Sequence, residues 1–139
     1  MKRKSESKLQ SDCFVWFNNN YCLKNHNPRC YIFSVPGEMA MQARAMMVAN
    51  GMSSKKADTI TAQLINNAKN TGFRTGVSDL IIISNTGVWF VELKCEGNYQ
   101  QQNQKDFEKI VKDLNQNYYV IKSLDEFKNI VKEKICIFV

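Results

Sequence analysis

The alternation of apolar and polar positions divides the chain into ten predicted elements. Glu6, Leu9, Cys13, Trp16 and Phe17 fall on one face of a helix over residues 5–18. An Asn-rich loop follows, and CYIFSV (30–35) reads as a strand stopped by Pro36 and Gly37. Two helices are predicted next: 39–50, ended by Gly51, and 53–70, with a serine at its N-cap and Gly72 beyond its end. GVSDLIIISNTGVWFVELK (76–94) reads as a β-hairpin turning at SNTG. Phe107, Ile110, Val111 and Leu114 mark a helix over 102–115, and YYVIK (118–122) is a strand. SLDEFKNIVKE opens on a capping box, Ser123 with Glu126, and forms a short helix before a last strand, ICIFV (135–139).

The order α-β-α-α-β-β-α-β-α-β predicts an α/β fold, a three-layer-like sandwich with a mixed central sheet flanked by helices. The hairpin supplies an antiparallel pair, and YYVIK, arriving after a helix, lies parallel to the second arm. The chain's 139 residues are expected to form a single domain, 1–139.

Composition narrows the picture modestly. With 44% hydrophobic and 23% charged residues, the sequence is that of an ordinary globular protein. No apolar run approaches the roughly 18 residues of a membrane span. SESKLQSD follows the basic MKRK where a signal peptide needs its apolar segment, so a cytoplasmic location is expected, the host cytoplasm if the source is viral. The five cysteines are scattered without a CxxC pair, which argues against a disulfide framework and a structural zinc site, and the lone His26 reads as a loop residue. The formal charge of +6 favours a polyanionic partner.

The hairpin carries the chemistry. Asp79 opens its first arm, and Glu92 and Lys94 close the second on one face, with Leu93 pointing the other way. If Asn85 and Thr86 form the loop, Asp79 faces Glu92; if the loop is Thr86-Gly87, it faces Lys94. Either register brings the three groups within one cross-strand step. A solvated cross-strand ion pair would explain such an arrangement and be worth only a few tenths of a kcal/mol. Two features count against it. Adjacent carboxylates repel unless a cation or proton joins them. Both arms, LIII and VWFV, are apolar on both faces, as in a covered strand where a bare charge is costly. A divalent cation such as Mg²⁺ or Mn²⁺ meets both conditions, because it takes one or two carboxylates and keeps several waters.

Asp79 followed after twelve residues by Glu92-Leu93-Lys94 matches the D…(D/E)xK signature of the PD-(D/E)XK nucleases. The wider context, TGFRTGVSDLIII, VWFVELKCEGNYQQQNQKDF and YYVIKSLDEF, resembles the VRR-NUC family, the virus-type replication-repair nuclease module. The likeness spans 72–131 well and 5–20 fairly, and 36–71 reads as a family-variable insertion. The resemblance implies a restriction-endonuclease-like fold with a helical insertion at about 39–71. It makes Asp79, Glu92 and the Leu93 carbonyl metal ligands, Lys94 the catalytic lysine, Gln104 a helix glutamine beside the site and Glu6 an auxiliary carboxylate. Ser78 stands where the family often has proline.

Residue patterns bear on two of these assignments. Gln104 shares a helical face with Phe107, Val111 and Leu114, an unusual place for an amide, although it also sits in a glutamine-rich run. Glu6 leads the apolar face of its helix, where a first-turn glutamate also suits the helix dipole. Arg74, Lys55, Lys56 and Arg44 are candidate DNA-phosphate contacts, Arg74 foremost because it precedes the metal strand; a solvated charged face is the alternative for the rest. Helix 39–50, methionine-rich with only Gln42 and Arg44 polar before its terminal Asn50, is either core or an interface. The family's stand-alone members tend to be homodimers, which favours the interface.

The expected function is metal-dependent hydrolysis of DNA phosphodiesters, selective for branched or Holliday-junction DNA, by a homodimer with no organic cofactor and no membrane partner. The alternatives are a non-catalytic nucleic-acid-binding protein on a nuclease fold and a nuclease acting on RNA.

Overall fold

A computed structural model of the chain describes residues 5–138; MKRK and Val139 lie outside the described residues. The chain forms two compact units: the residues up to Val35 together with those from Gly76 onward, and Pro36–Thr75.

The first unit is built on a four-stranded sheet in the order β1 (Tyr31–Phe33), β2 (Leu80–Ser84), β3 (Gly87–Leu93), β4 (Asn117–Ile121). β1, β2 and β3 pair antiparallel, and β4 lies parallel to β3, an arrangement that needs the long helical connection between the two. Helices α1 (Glu6–Tyr21) and α5, numbered with the rest in chain order and spanning Leu124–Ile130, cover one face. There Cys13 and Phe17 of α1 and Phe127 of α5 pack on Leu80, Ile82, Trp89, Val91, Leu93 and Ile121. Alternation along the strands sends Phe90, Glu92 and Tyr118 to the opposite face. Helix α4 (Gln102–Asp113) covers that side, with Phe107 edge-on to Phe90 at 5.3 Å between ring centroids. Val111 of α4 is buried, whereas Ile110 and Leu114 of the same predicted apolar set are exposed. The resulting layering is the expected mixed-sheet sandwich.

The second unit is a helical pair, α2 (Met39–Ala49) and α3 (Ser54–Asn70), in the place of the expected insertion. Ser53 caps α3 by accepting a hydrogen bond from Lys56 N at 3.2 Å.

One predicted element is absent. Residues 135–138 of the expected last strand form no strand: α5 instead runs on through a π-helical turn, Val131–Ile135. Phe127, Val131 and Ile135 recur every four residues and all are fully buried, so the helical period outweighs the apolar run ICIFV. The chain end is then held by the hairpin turn. Ser84 and Thr86 hydroxyls both donate to Ile135 O at 2.7 Å, and the Asn85 amide donates to Ile137 O at 2.7 Å. Only half of the expected capping box at α5 forms: Ser123 Oγ accepts from Glu126 N, but Glu126 Oε1 takes the Lys122 N–H. No described helix is long and apolar enough to cross a membrane.

Candidate metal centre

The hairpin adopts the register with Asn85 and Thr86 in the loop, since Ser84 pairs with Gly87 and Leu80 with Val91. One step beyond that last pair, Asp79 lies across from Glu92. Leu93 N–H donates to Asp79 Oδ2 at 2.7 Å, so the aspartate fixes the end of β3 as well as facing it. Ser78, in the position before the aspartate, is fully buried and donates its hydroxyl to Leu80 O at 3.2 Å.

The approach to Asp79 depends on Gly76. Its φ is 85°, and a Cβ there would sit 2.5 Å from Asn103 O in α4. This contact brings the residues leading into β2 against the first turn of α4, which carries Gln104. From that turn Gln104 Nε2 donates to Glu92 Oε2 at 2.9 Å, while its Oε1 accepts from Gln101 N at 2.8 Å. The glutamine therefore closes its own helix's first turn and fixes the Glu92 carboxylate with the other end of one amide. Lys94 reaches the same Glu92 oxygen, with Nζ at 3.7 Å.

Glu92 is 1% exposed, and its other oxygen, Oε1, is buried without a hydrogen-bond partner. Burial first, and then the Asp79 carboxylate, push Glu92 up to about 8. Burial also raises Asp79, against the opposing pull of the Leu93 N–H, of a hydrogen bond from Glu92 when that carboxyl holds the proton, and of Lys94. The two carboxylates are thus arranged so that both ionise readily only when a cation joins them. Tyr118, buried on the same face, is raised chiefly by burial and then by the Glu92 charge; its hydroxyl accepts from Gln100 Nε2 at 3.2 Å.

Glu6 approaches from α1. Its Oε2 accepts from Asn98 Nδ2 at 2.7 Å and from Cys95 N at 3.3 Å, and its charge raises both Asp79 and Glu92 as a lesser cause. Glu6 therefore ties the segment after β3 to α1 beside the carboxylate pair. Residues 95–98 form a turn, with Asn98 N donating to Cys95 O and Gly97 at φ 89°, the positive φ a type II turn needs at that position.

Glu6, Asp79, Glu92, Leu93, Lys94 and Gln104 thus meet at one end of the β2–β3 hairpin. The four basic candidates belong to the second unit. There Arg44 pairs with Asp58 at 2.5 Å, and Lys55, Lys56 and Arg74 are exposed. Sequence reasoning missed Asn98, Gln100 and Tyr118, two amides inside a polar run and an aromatic inside an apolar strand, none with a signal of its own.

The donor set suits a hard divalent cation: two carboxylates, one with a buried free oxygen, beside a strand-end carbonyl at Leu93. Among the described residues no group of three or more His, Cys, Asp or Glu side chains is placed to hold a metal. An ion here would accordingly rely on the two carboxylates, backbone and water, the habit of Mg²⁺ rather than of zinc.

No protein-family model and no curated protein sequence matches the chain. A solved structure described as a VRR_NUC domain protein is similar, with a TM-score of 0.63 and 18% identity over 97% of this chain and 91% of that one. At that identity the likeness speaks for the fold: the chain has a VRR-NUC-like fold.

Proposed function

We propose, from this VRR-NUC-like fold and the site it carries, that the protein is a metal-dependent nuclease hydrolysing DNA phosphodiester bonds. The observation that carries the reading is the Asp79–Glu92 pair, a half-buried aspartate beside a fully buried glutamate, with no donor on Glu92 Oε1 and with Lys94 and Gln104 on its Oε2. A protein that only bound nucleic acid would have no use for so costly an arrangement.

Asp79, Glu92 and the Leu93 carbonyl would hold Mg²⁺ or Mn²⁺. Such an ion, when bound, polarises a phosphoryl oxygen and makes its own water more acidic. The chain's residues do the remaining work. Asp79, anchored on Leu93 N–H, and Glu92, anchored on the Gln104 amide, keep their carboxylates in place without reorganisation. Lys94, on the rigid continuation of β3, orients a water for in-line attack and offsets charge on the phosphorane-like transition state. Its backbone N–H donates to Ile121 O at 3.0 Å, which fixes the stem of that side chain. Gln104 positions Glu92 and is not itself required to touch substrate.

Branched or junction DNA is the proposed substrate, and a homodimer the proposed assembly. The second proposal rests on α2, where Met39, Met41 and Met46 are all more than half exposed and no residue is buried. A symmetric pair would present two such hairpins to two strands. The test is a panel of duplex, flap, splayed and four-way DNA, with matching RNA, incubated in Mg²⁺ or Mn²⁺ and in chelator. Metal-dependent cleavage of DNA, strongest on branched forms, is expected. Cleavage restricted to the RNA arm would redirect the substrate assignment, and equal cleavage of linear and branched DNA would remove the junction preference.

A further inference from the structure

The segment joining β3 to α4, residues 95–101, is tied to the candidate centre on both sides of one residue. On one side Asn98 donates to Glu6, and Cys95 N–H donates to the same carboxylate oxygen. On the other, Gln100 donates to the buried Tyr118 hydroxyl, and Gln101 N–H donates to the Gln104 amide that grips Glu92. Between them Tyr99 is 82% exposed, the largest exposure among the exposed large apolar side chains of the described residues. A single exposed ring on a loose loop would mean little. Here both sequence neighbours are tied to the site by side-chain hydrogen bonds, Asn98 from the surface and Gln100 half-buried, so the exposed ring stands on a backbone anchored on either side of it. Two residues of extended chain span at most about 7 Å, which keeps the Tyr99 backbone close to Gln101 and hence to the Gln104–Glu92 contact.

We infer that Tyr99 is a stacking platform for an unpaired nucleobase next to the candidate metal centre. The ligand is a single-stranded or frayed segment of DNA or RNA, whose bases expose their faces, and not a continuous duplex, whose bases are already stacked on one another. Aromatic stacking accepts any base, so the residue would select strand state and not sequence. The inference rests on the nuclease reading for the identity of the neighbouring site and sharpens it. An unpaired base seated on Tyr99 places the adjoining backbone beside Asp79, Glu92 and Lys94, which favours cleavage next to the branch point of a flap or splayed substrate.

The experiment compares wild type, Tyr99→Ala and Tyr99→Phe by fluorescence anisotropy in chelator. The probes are a labelled DNA single strand of mixed sequence, the matching RNA strand and a blunt DNA duplex; cleavage of these DNA probes and of flap and four-way DNA is then read in Mg²⁺. Loss of one stacked base corresponds to about a 5- to 150-fold weaker binding of the single strand by Tyr99→Ala. Tyr99→Phe, which keeps the ring, should bind as wild type does, and duplex affinity should be the same for all three. The RNA arm shows whether the platform discriminates between the two strands. The inference is overturned if Tyr99→Ala holds the single strands as tightly as wild type, if strand and duplex affinity fall in the same proportion, or if wild type binds no single strand. Tyr99-dependent binding without cleavage would contradict the nuclease reading and leave the platform standing; cleavage with Tyr99-independent binding would do the reverse.

Discussion

Replacing Glu92 by glutamine should make the metal-free protein more stable at alkaline pH. The glutamate lies at 1% exposure, and burial and Asp79 raise it from 4.5 to about 8. Because the folded value exceeds the unfolded one, the folded chain keeps a proton that the unfolded chain releases between those limits. The stability linked to it is fully present below about pH 4.5 and is lost as pH rises through 8. At about 1.4 kcal/mol per pH unit, the ionised carboxylate costs at most roughly 5 kcal/mol, and water entering the opened site reduces this to roughly 2–5 kcal/mol. Glutamine has the same shape, keeps an oxygen for the Gln104 amide and never ionises. For a chain of this size, about 3–5 °C in Tm per kcal/mol makes a gain on the order of 10 °C. The assay is thermal unfolding of wild type and Glu92→Gln at pH 4 and pH 9, in chelator and in Mg²⁺. In chelator the two should melt together at the lower pH and separate at the higher. Mg²⁺ should close the gap by stabilising wild type alone, with proton release on binding. A gap independent of pH, or a less stable glutamine variant at pH 9, would refute the reasoning.

Three further outcomes follow from the same geometry. Lys94→Ala should lower turnover by about 10²-fold or more while leaving DNA and metal affinity intact, because its contribution is made in the transition state; a loss confined to binding would make Lys94 a phosphate clamp only. Gly76→Ala should destabilise by about 1–3 kcal/mol, since the positive φ and the Asn103 backbone both resist a side chain there, and should also lower the cleavage rate by displacing α4 from Glu92; a variant as stable and active as wild type would show the contact to be unimportant. Charged replacements at Met39, Met46 and Met47 should give a monomer in sedimentation that keeps weak metal-dependent nicking but has no junction preference. A wild type that sediments as a monomer would end the dimer proposal.

Much of the fold was legible because periods and turn residues coincide along this chain. Both arms of the hairpin are short apolar runs bounded by turn residues, and Leu80, Ile82, Trp89, Val91 and Leu93 are buried on the face that α1 and α5 cover. Its register was not legible, because SNTG offers two loops of similar quality. The structure puts the positive φ on Gly87, at 129°, just past the loop, so a glycine that invites a Thr-Gly turn serves the return strand. The chain end was misread for a related reason: an apolar run of five carries no period, and only the burial of Phe127, Val131 and Ile135 together reveals the helix. At the candidate site, the charged and amide side chains that meet there from periodic elements stood out in the sequence, whereas Tyr118, one aromatic in an apolar strand, did not. Those on the 95–101 segment did not either, because Asn98, Tyr99 and Gln100 owe their importance to Glu6, Tyr118 and Gln104, which are distant in sequence or face the segment from another element.

The central claim is that one hairpin builds a metal-dependent phosphodiesterase centre, and a single-turnover cleavage rate on flap DNA in Mg²⁺, for wild type and Asp79→Ala, tests it most directly. The variant loses a ligand but relieves the repulsion on Glu92, so it should stay folded while its rate falls by about 10³-fold or more, to the level of wild type in chelator. A folded Asp79→Ala protein that cleaves within a few-fold of wild type, or a wild type indifferent to chelator, would contradict the account.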